Sequence, residues 1–329
     1  MKRPVFVVGA PRSGTTLLHH MLLSAGGFAV YETESSVFNL LVPMFGDLRN
    51  KRNKRELMTA WLQSHHFRLS GLRADSIERR ILAECNSGGD FLRILMEEIA
   101  RSQAVDRWSE HTPAHLFYIR EIKQYFPDAL IVHVIRDGRD VALSLDKQGW
   151  VRPLPGQSHA RRAVVALYWY WMVRKGREYG KSVAPDYLEV RYEDLVLQPR
   201  ATLARLSQFI QHDLEYDHIQ KVAIGTVAEP NTSFPEQSPD TASAVGRWDH
   251  ELGDGEALKL EHLTGDLLVQ LGYSLRVANP NKRKPPELIL LRALYLTYFN
   301  SKLWLRKHTP LPRYFAATGI SGPDRRLNP

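Results

Sequence analysis

The sequence predicts an α/β fold in which three layers, α/β/α, are built around a central, mostly parallel sheet. Two observations support this fold class. Short apolar runs alternate along the chain with longer stretches in which apolar residues recur at helical spacing. The first run, at 4–8, leads directly into a glycine-rich turn and then into helical spacing. Strands that alternate with helices are joined by crossovers, which make the strands parallel.

Five short apolar runs are the predicted strands. The run at 129–135 is the clearest, because its residues are nearly all apolar and suit a strand buried on both faces. We predict strands at 4–8, 28–31, 104–109, 129–135 and 187–190. We predict helices at 17–23, through most of 53–103, and at 115–125, 140–145, 163–179, 200–211 and 287–307. Residues 225–246 show no periodicity and predict a long loop.

Charge divides the chain into two predicted parts. The net charge is +8, but residues 276–329 alone hold 11 basic and 2 acidic residues. Residues 1–275 are close to neutral, which argues against a nucleic-acid-binding protein. We therefore expect a domain at 1–275 with helical insertions and a basic extension at 276–329 that contains a helix. The basic, aromatic-rich stretch at 287–307 suits a peripheral membrane contact, a homodimer contact or a solvated face.

The composition also excludes several classes of protein. Cys85 is the one cysteine, which excludes an internal disulfide framework and a Cys-based zinc cage. No stretch has the length and apolarity of a membrane span, and the N-terminus lacks the apolar core of a secretion signal. These features predict a cytoplasmic enzyme.

The turn after the first strand has the residues of a phosphate-binding loop. It reads Gly-Ala-Pro-Arg-Ser-Gly-Thr-Thr over 9–16. Glycines let backbone N–H groups converge on one anion, and the N-terminus of the following helix adds partial positive charge. Thr15 and Thr16 add hydroxyl donors. The order strand, glycine-rich turn, helix predicts a P-loop-type domain, with an ordinary strand-to-helix turn as the alternative.

The loop differs from that of a nucleotide triphosphatase in its cation. The triphosphatase pattern places a lysine after the second glycine, where it reaches the β- and γ-phosphates. Here Thr15 occupies that position, and the cation is Arg12. No acidic strand end that would hold magnesium is evident. A P-loop kinase or triphosphatase is therefore a disfavoured alternative, as is a non-catalytic anion-binding module.

A second predicted phosphate site follows the strand at 129–135. Arg136 comes directly after this strand, at the edge of a parallel sheet where ligands bind. Its guanidinium offers a planar fork of donors for a phosphate, and Ser144 on the next helix offers a hydroxyl. Asp137 and Asp140 lie near the start of that helix, where acidic residues stabilise the helix dipole, so we assign them a structural role.

These motifs resemble the sulfotransferase family that uses 3′-phosphoadenosine 5′-phosphosulfate (PAPS), and above all its bacterial and protein-tyrosine branch. The residues that carry the resemblance are Pro-Arg-Ser-Gly-Thr-Thr-Leu-Leu at 11–18, Phe-Pro-Asp-Ala at 126–129 and Val-Ile-Arg-Asp-Gly-Arg-Asp-Val-Ala-Leu-Ser at 134–144. Weaker matches lie at 190–195 and 246–248, and the resemblance covers about 4–272. It implies that 1–275 is a sulfotransferase domain with helical acceptor-binding insertions.

The resemblance also implies roles for particular residues. The 5′-phosphosulfate would be held by Arg12, Ser13, Gly14, Thr15 and Thr16. The 3′-phosphate would be held by Arg136 and Ser144, with Ser233 and Arg247 closing over it and Tyr192 touching the nucleotide. The family needs no metal. Arg12 would also be catalytic, by stabilising the charge that develops on the sulfuryl oxygens and the leaving group.

The base that takes the acceptor's proton has three candidates. In the branch that this chain resembles, a glutamate followed by threonine after the second strand is the base, and Glu32 matches it best, with Glu34 as an alternative. Where the family often has a lysine, this chain has His111, which suits an acid or a base near neutral pH. A helix-capping role for Glu32 and a purely structural role for His111 are the alternatives.

The acceptor is a hydroxyl or an amine on a molecule that the sequence does not identify, with a carbohydrate or a lipid-linked molecule as the expected class. The helical stretches 35–103 and 150–180 are expected to line its cleft. Their aromatic residues suit stacking on a sugar or a lipid head group, but at helical spacing they also suit a hydrophobic core.

Overall fold

The computed structural model describes residues 1–224, 245–276 and 284–311. Within these ranges a single parallel sheet has the strand order β2-β3-β1-β4-β5. Its strands are β1 (Val5–Gly9), β2 (Phe28–Ala29), β3 (Arg107–Glu110), β4 (Leu130–Ile135) and β5 (Tyr187–Arg191). The predicted α/β fold with a central parallel sheet is confirmed.

Helices account for most of the described residues. The helices that precede β5 are α1 (Thr15–Ser24), α2 (Val42–Phe45), α3 (Lys51–Leu62), α4 (His65–Ser70), α5 (Ala74–Glu84), α6 (Gly88–Ser102), α7 (Ile119–Tyr125), α8 (Gly138–Gln148) and α9 (Arg161–Lys181). After β5 they are α10 (Tyr192–Leu197), α11 (Pro199–Ile210), α12 (Tyr216–Val222), α13 (Trp248–Glu251), α14 (Asp254–Gln270) and α15 (Pro286–His308). A π-helical turn spans Val37–Leu41, and 3₁₀ turns span Pro113–Tyr118, Ser158–Ala160 and Ala184–Asp186.

Alternating residues of the central strand pack into two different hydrophobic clusters, one on each face of the sheet. Val5 and Val7 pack with α1 and α11, whereas Phe6 and Val8 pack with α6 and α9. Successive side chains of a strand point to opposite faces, so this division is the expected result of burying both faces. The sheet is therefore the middle of three layers.

The second strand is shorter than the predicted 28–31. It pairs with β3 only at Phe28 and Ala29. At Val30 the Gln103 side chain replaces the neighbouring strand as the hydrogen-bond partner. Its Oε1 accepts from Val30 N at 2.7 Å, and its Nε2 donates to Val30 O at 3.0 Å. A side chain thus satisfies the backbone groups that a longer strand would have paired, and the chain is free to turn.

The C-terminal helix α15 packs directly on α9 and α14. Tyr295 and Phe299 are buried in the main hydrophobic cluster. The Tyr295 hydroxyl accepts from Leu154 N at 3.0 Å and donates to Gln157 Oε1 at 2.6 Å. Within the described ranges, none of the helices is both long enough and apolar enough to cross a membrane. The division of the chain at 275 stays a prediction.

Candidate active site

The candidate site residues follow the carboxyl ends of neighbouring parallel strands. The register pairs Gly9 of β1 with Val134 of β4, and Ile135 of β4 with Arg191 of β5. On the other side of β1, Phe6 pairs with Glu110 of β3. Because the strands are parallel, the loops that leave these ends meet at one edge of the sheet, which is where open α/β sheets bind ligands.

The loop at 9–16 turns tightly between β1 and α1. Ser13 N donates to Ala10 O at 3.1 Å, and both Arg12 and Gly14 have a positive φ, of 68° and 96°. The Ser13 hydroxyl is buried, and it makes no hydrogen bond to any described residue. The turn therefore directs a buried donor, together with the N-terminus of α1, toward the same edge of the sheet.

The two predicted phosphate sites touch each other. The Arg12 Nε donates to Ser144 Oγ at 3.0 Å, although Arg12 lies in the loop after β1 and Ser144 lies on α8. In the other direction, Arg136 Nη1 donates to Arg12 O at 3.1 Å. The structure thus brings the cation of the first loop and the cation and hydroxyl of the second into one site.

Tyr192 covers both phosphate sites with its ring. The ring lies against Gly14, where an added Cβ would be 2.4 Å from Tyr192 Cδ2. The centre of the same ring is 4.4 Å from the Arg136 guanidinium carbon, a distance suited to a cation–π contact. Position 14 therefore requires glycine for two reasons, its positive φ and the approach of this ring.

Asp140 ties the segment around Arg247 to the second phosphate site. Its carboxylate accepts from Gly246 N at 2.8 Å and from Trp248 N at 2.9 Å, and Arg136 Nη2 lies 3.8 Å from it. Burial raises the pKa of Asp140, against the opposite effect of Arg136. Arg247 lies between Gly246 and Trp248 in the chain. Its Nε is buried and has no hydrogen-bond partner in the described ranges.

Asp137 has the structural role that the sequence predicted. It caps α8 by accepting from Arg139 N at 2.8 Å, and it also binds the Arg139 guanidinium. That guanidinium reaches Glu261 at 2.6 Å and lies 3.4 Å from the centre of the Trp248 ring. The buried cluster anchors α14 and the segment around Trp248 to the start of α8.

A buried carboxylate, Glu110, organises the loops at the end of β3. Its Oε1 accepts from the Ser35 hydroxyl at 2.8 Å and from Thr112 N at 3.0 Å, and also from the Thr112 hydroxyl. Its Oε2 accepts from His115 Nδ1 at 2.8 Å. Burial alone would raise the pKa of Glu110, but His115 and Thr112 hold it well below its usual range. Glu110 is therefore an ionised, fully bonded group that positions its neighbours.

His111 belongs to a cluster of three buried histidines. Its ring stacks on that of His19, with centres 4.0 Å apart and planes 17° from parallel, and the His20 ring centre lies 6.3 Å away. Burial lowers the pKa of His111 to about 4, although Glu110 acts in the opposite direction. His111 is therefore neutral at pH 7.

The loop that carries the carboxylate candidates is held at both ends by these groups. His19 Nε2 donates to Tyr31 O at 3.1 Å, and Ser35 is bound by Glu110. Between them, Glu32 is exposed, and Glu34 is half-buried. Glu32 lies near enough to His20 to raise the pKa of that histidine, which burial lowers. The three candidates for the base therefore lie on connected segments.

Proteins of known class are similar to this chain in sequence. A sequence model with the description Sulfotransferase family matches residues 4–217. The chain belongs to the sulfotransferase family. Protein-tyrosine sulfotransferase A of Caenorhabditis elegans is 24% identical to this sulfotransferase over 293 residues, which are 87% of this chain and 71% of that protein.

Two solved structures share the fold. The sulfotransferase domain from the Synechococcus PCC 7002 olefin synthase superimposes with a TM-score of 0.57 at 20% identity, covering 84% of this chain and 98% of that one. The sulfotransferase domain from the curacin biosynthetic pathway gives a TM-score of 0.57 at 16% identity, covering 84% and 99%. The predicted family and enzyme class are confirmed, and a kinase or a non-catalytic module is not favoured.

The sulfotransferase thus brings most of the predicted site residues to one edge of its sheet. Those in direct contact with one another are Arg12, Gly14, Arg136, Ser144 and Tyr192. Ser233 lies outside the described residues. The individual roles of these residues stay predictions, because the shared fold does not test them.

His19, His20 and His115 are not among the site residues predicted from the sequence. The structure places His19 and His20 against His111, and it makes His115 the partner of Glu110. One signal was available for His19, since it lies four residues after Thr15 and therefore on the same face of the helix that follows the phosphate loop. No local pattern indicates the pairing of Glu110 with Ser35.

Proposed function

We propose that this sulfotransferase takes its sulfuryl group from PAPS and transfers it to the hydroxyl of an acceptor. The observation that carries the proposal is the 3.0 Å hydrogen bond from Arg12 Nε to Ser144 Oγ. It joins the loop expected to hold the 5′-phosphosulfate to the helix expected to hold the 3′-phosphate. A ligand with phosphates at both ends of one nucleoside matches two adjoining anion sites.

The residues present fit such a ligand. The donors are two guanidinium groups, the hydroxyls of Ser13 and Ser144, and the N-terminus of α1. The Ser13 hydroxyl is buried without a partner in the described ranges, as a donor reserved for an anion would be. Arg247, which lies between the two residues whose amides bind Asp140, adds a third guanidinium to this segment. Charged and hydroxyl donors of this kind are what phosphate groups bind.

PAPS supplies the transferred group, and its bridging phosphate oxygen is the leaving atom. Catalysis then depends on positioning and on charge stabilisation by this chain's own residues. Arg12 neutralises charge on the oxygens around the reacting centre. Glu32, with Glu34 and His111 as the other candidates, accepts the acceptor's proton. Glu110 and His19 hold the segments that carry these groups.

Two measurements test the proposal. Labelled sulfate from PAPS is followed into a panel of sugars, lipids and phenols, and adenosine 3′,5′-bisphosphate binding is followed by thermal shift. We expect the bisphosphate to stabilise the protein and Arg136→Ala to abolish that effect, whereas Arg55→Ala, at an exposed position on α3, leaves it unchanged. Stabilisation by magnesium ATP in place of the bisphosphate would instead support a kinase.

A further inference from the structure

A cavity of about 260 Å³ lies between α9 and α15. Its wall is completed by the turn that follows β3 and by the segment that follows α8. An apolar cavity of ~150 Å³ is large enough to bind benzene. This cavity therefore has room for a larger body, such as a substituted ring or a medium-length alkyl chain.

Aromatic rings in mutual contact make up much of the wall. The Phe117 and Trp171 ring centres are 4.5 Å apart, and Phe299 lies 5.3 Å from Trp171 and 5.4 Å from Tyr168. Trp171 is held in place by a hydrogen bond from its Nε1 to Asn300 Oδ1 at 2.9 Å. Rings that are locked by each other form a preorganised apolar surface, which lowers the entropic cost of binding an apolar ligand.

Three cations share this apolar cavity. Arg152 follows α8, and Lys302 and Arg306 lie one turn apart on α15. None of the described residues that line the cavity is acidic. Burial, together with the nearby Arg306, lowers the pKa of Lys302. Positive charge concentrated among aromatic rings favours a ligand that brings a negative group of its own.

The cavity also adjoins both segments that carry the candidate chemistry. One wall includes Ala114, which comes three residues after His111. Another includes Trp150, which comes shortly after the helix that carries Ser144. A molecule bound here therefore contacts the segments that continue from His111 and from the helix of Ser144.

We infer that this cavity binds the acceptor, and that the acceptor is a hydroxylated small molecule with an apolar body and an anionic group. Its apolar body packs among Phe117, Trp171 and Phe299, and its anionic group binds Arg152, Lys302 and Arg306. This inference rests on the proposed function, because sulfuryl transfer requires an acceptor hydroxyl.

The test compares pairs of acceptors in which a terminal carboxylate is replaced by a methyl group. One pair is 10-hydroxydecanoate and decan-1-ol, and the other is 3-(4-hydroxyphenyl)propanoate and 4-propylphenol. We expect the acid of at least one pair to have a kcat/KM about 10-fold or more above that of its neutral partner, as charge-assisted hydrogen bonds imply. Equal values within both pairs, or preference for the neutral compounds, would overturn the inference.

Variants show whether the preference arises in this cavity. Lys302→Met with Arg306→Met removes two charges and keeps the apolar stems that line the wall. We expect this double variant to lose the preference for the acid and to keep its transfer to the neutral partner, which also shows that it is folded. The matched control, Lys51→Met with Arg55→Met, removes two exposed charges from α3 and should keep the preference. A double variant that retains the preference overturns the inference.

Nucleotide binding separates this inference from the proposed function. If adenosine 3′,5′-bisphosphate stabilises the protein and sugars are sulfated while both pairs are inert, then the acceptor class is wrong and the proposed function stands. If the bisphosphate has no effect and no compound is sulfated, then the proposed function fails and the inference falls with it.

Discussion

Glu110 accepts a hydrogen bond from His115 Nδ1 at 2.8 Å in the interior of the protein, where both side chains are almost fully excluded from solvent. His115 Nε2 in turn accepts from Phe38 N at 3.3 Å, so the ring carries its proton on Nδ1. The pair connects the end of β3 to the π-helical turn at Val37–Leu41. Glu110, the ionised member of the pair, has the larger effect on how these segments are held, because it also binds Ser35 and Thr112.

Replacing Glu110 tests this connection. Glu110→Gln keeps the size of the side chain and removes its charge, so hydroxyl and imidazole donors lose a charged acceptor. We expect the free energy of unfolding in urea to fall by about 3 kcal/mol, because several donors lose a charged acceptor at once and a hydrogen bond to a charged group contributes roughly 1.5–3 kcal/mol. Ser35→Ala removes one donor and should cost only about 1 kcal/mol. Equal losses for the two variants would contradict the central role of Glu110.

Stability should depend on pH through His111. Its pKa is about 4 in the folded protein, lowered by burial, against about 6.5 in an unfolded chain. Between these values the unfolded chain binds a proton that the folded protein does not, so stability falls as the pH drops from about 6.5 toward 4. The slope from one such group is at most about 1.4 kcal/mol per pH unit.

The variant His111→Asn should make this pH dependence shallower. The free energy of unfolding, measured in urea at several pH values in that window, should decrease less steeply than in the original protein. His250→Asn is the control, because His250 is exposed. An unchanged slope for His111→Asn would show that other groups cause the loss of stability in acid.

Two glycine substitutions separate backbone strain from contact with Tyr192. Gly14 and Gly149 both have a positive φ, of 96° and 64°, but only Gly14 has a ring against it, whereas an added Cβ at Gly149 meets no described atom within 4 Å. Alanine should cost each position roughly 1–2 kcal/mol of backbone strain. We expect only Gly14→Ala to lose bisphosphate binding, as measured by thermal shift. Loss of bisphosphate binding in both variants would show that contact with Tyr192 is not its cause.

Glu32 is the candidate base that an acceptor can reach most easily, because its side chain is exposed. A general base contributes roughly 10²–10⁴-fold to the rate. We therefore expect Glu32→Gln to lower kcat at least about 10²-fold and to leave bisphosphate binding unchanged. Glu34→Gln serves as the comparison on the same loop. If His111→Asn produces the loss and Glu32→Gln does not, then the base is His111.

The exposed apolar residues at the start of α15 test the predicted membrane contact. Ile289, Leu290 and Leu294 are 53%, 71% and 40% exposed, while the opposite side of the helix packs on α9. If this surface contacts a membrane, then the protein should float with anionic liposomes, and Leu290→Glu should reduce the bound fraction. Leu82→Glu, at a leucine that is 40% exposed on α5, should not. Equal flotation of all three proteins would leave a homodimer contact and a solvated face as the remaining interpretations, which analytical ultracentrifugation would distinguish.

Local sequence pattern was sufficient for three of the strands. The predicted 4–8, 129–135 and 187–190 match β1, β4 and β5 to within one residue at each end. Every residue of β1 and β4 is buried, so burial and local apolarity coincide there, whereas β5 is a partly buried edge strand. The predicted 104–109 begins three residues before β3, and the predicted helix at 115–125 is divided into a 3₁₀ turn and α7. Local sequence pattern predicts the bounds of these segments less well, because side-chain contacts, such as those of Glu110, decide where the segments begin.

The sequence by itself determined the family and predicted the phosphate loop and the second anion site, because each depends on residue types at fixed local spacing. Only the tertiary structure decided that Arg12 reaches Ser144, that His111 stacks on His19, and that α15 closes an aromatic cavity with three cations. These contacts join residues far apart in the chain. They arise from how strands and helices pack, which the spacing of residues within one segment does not contain.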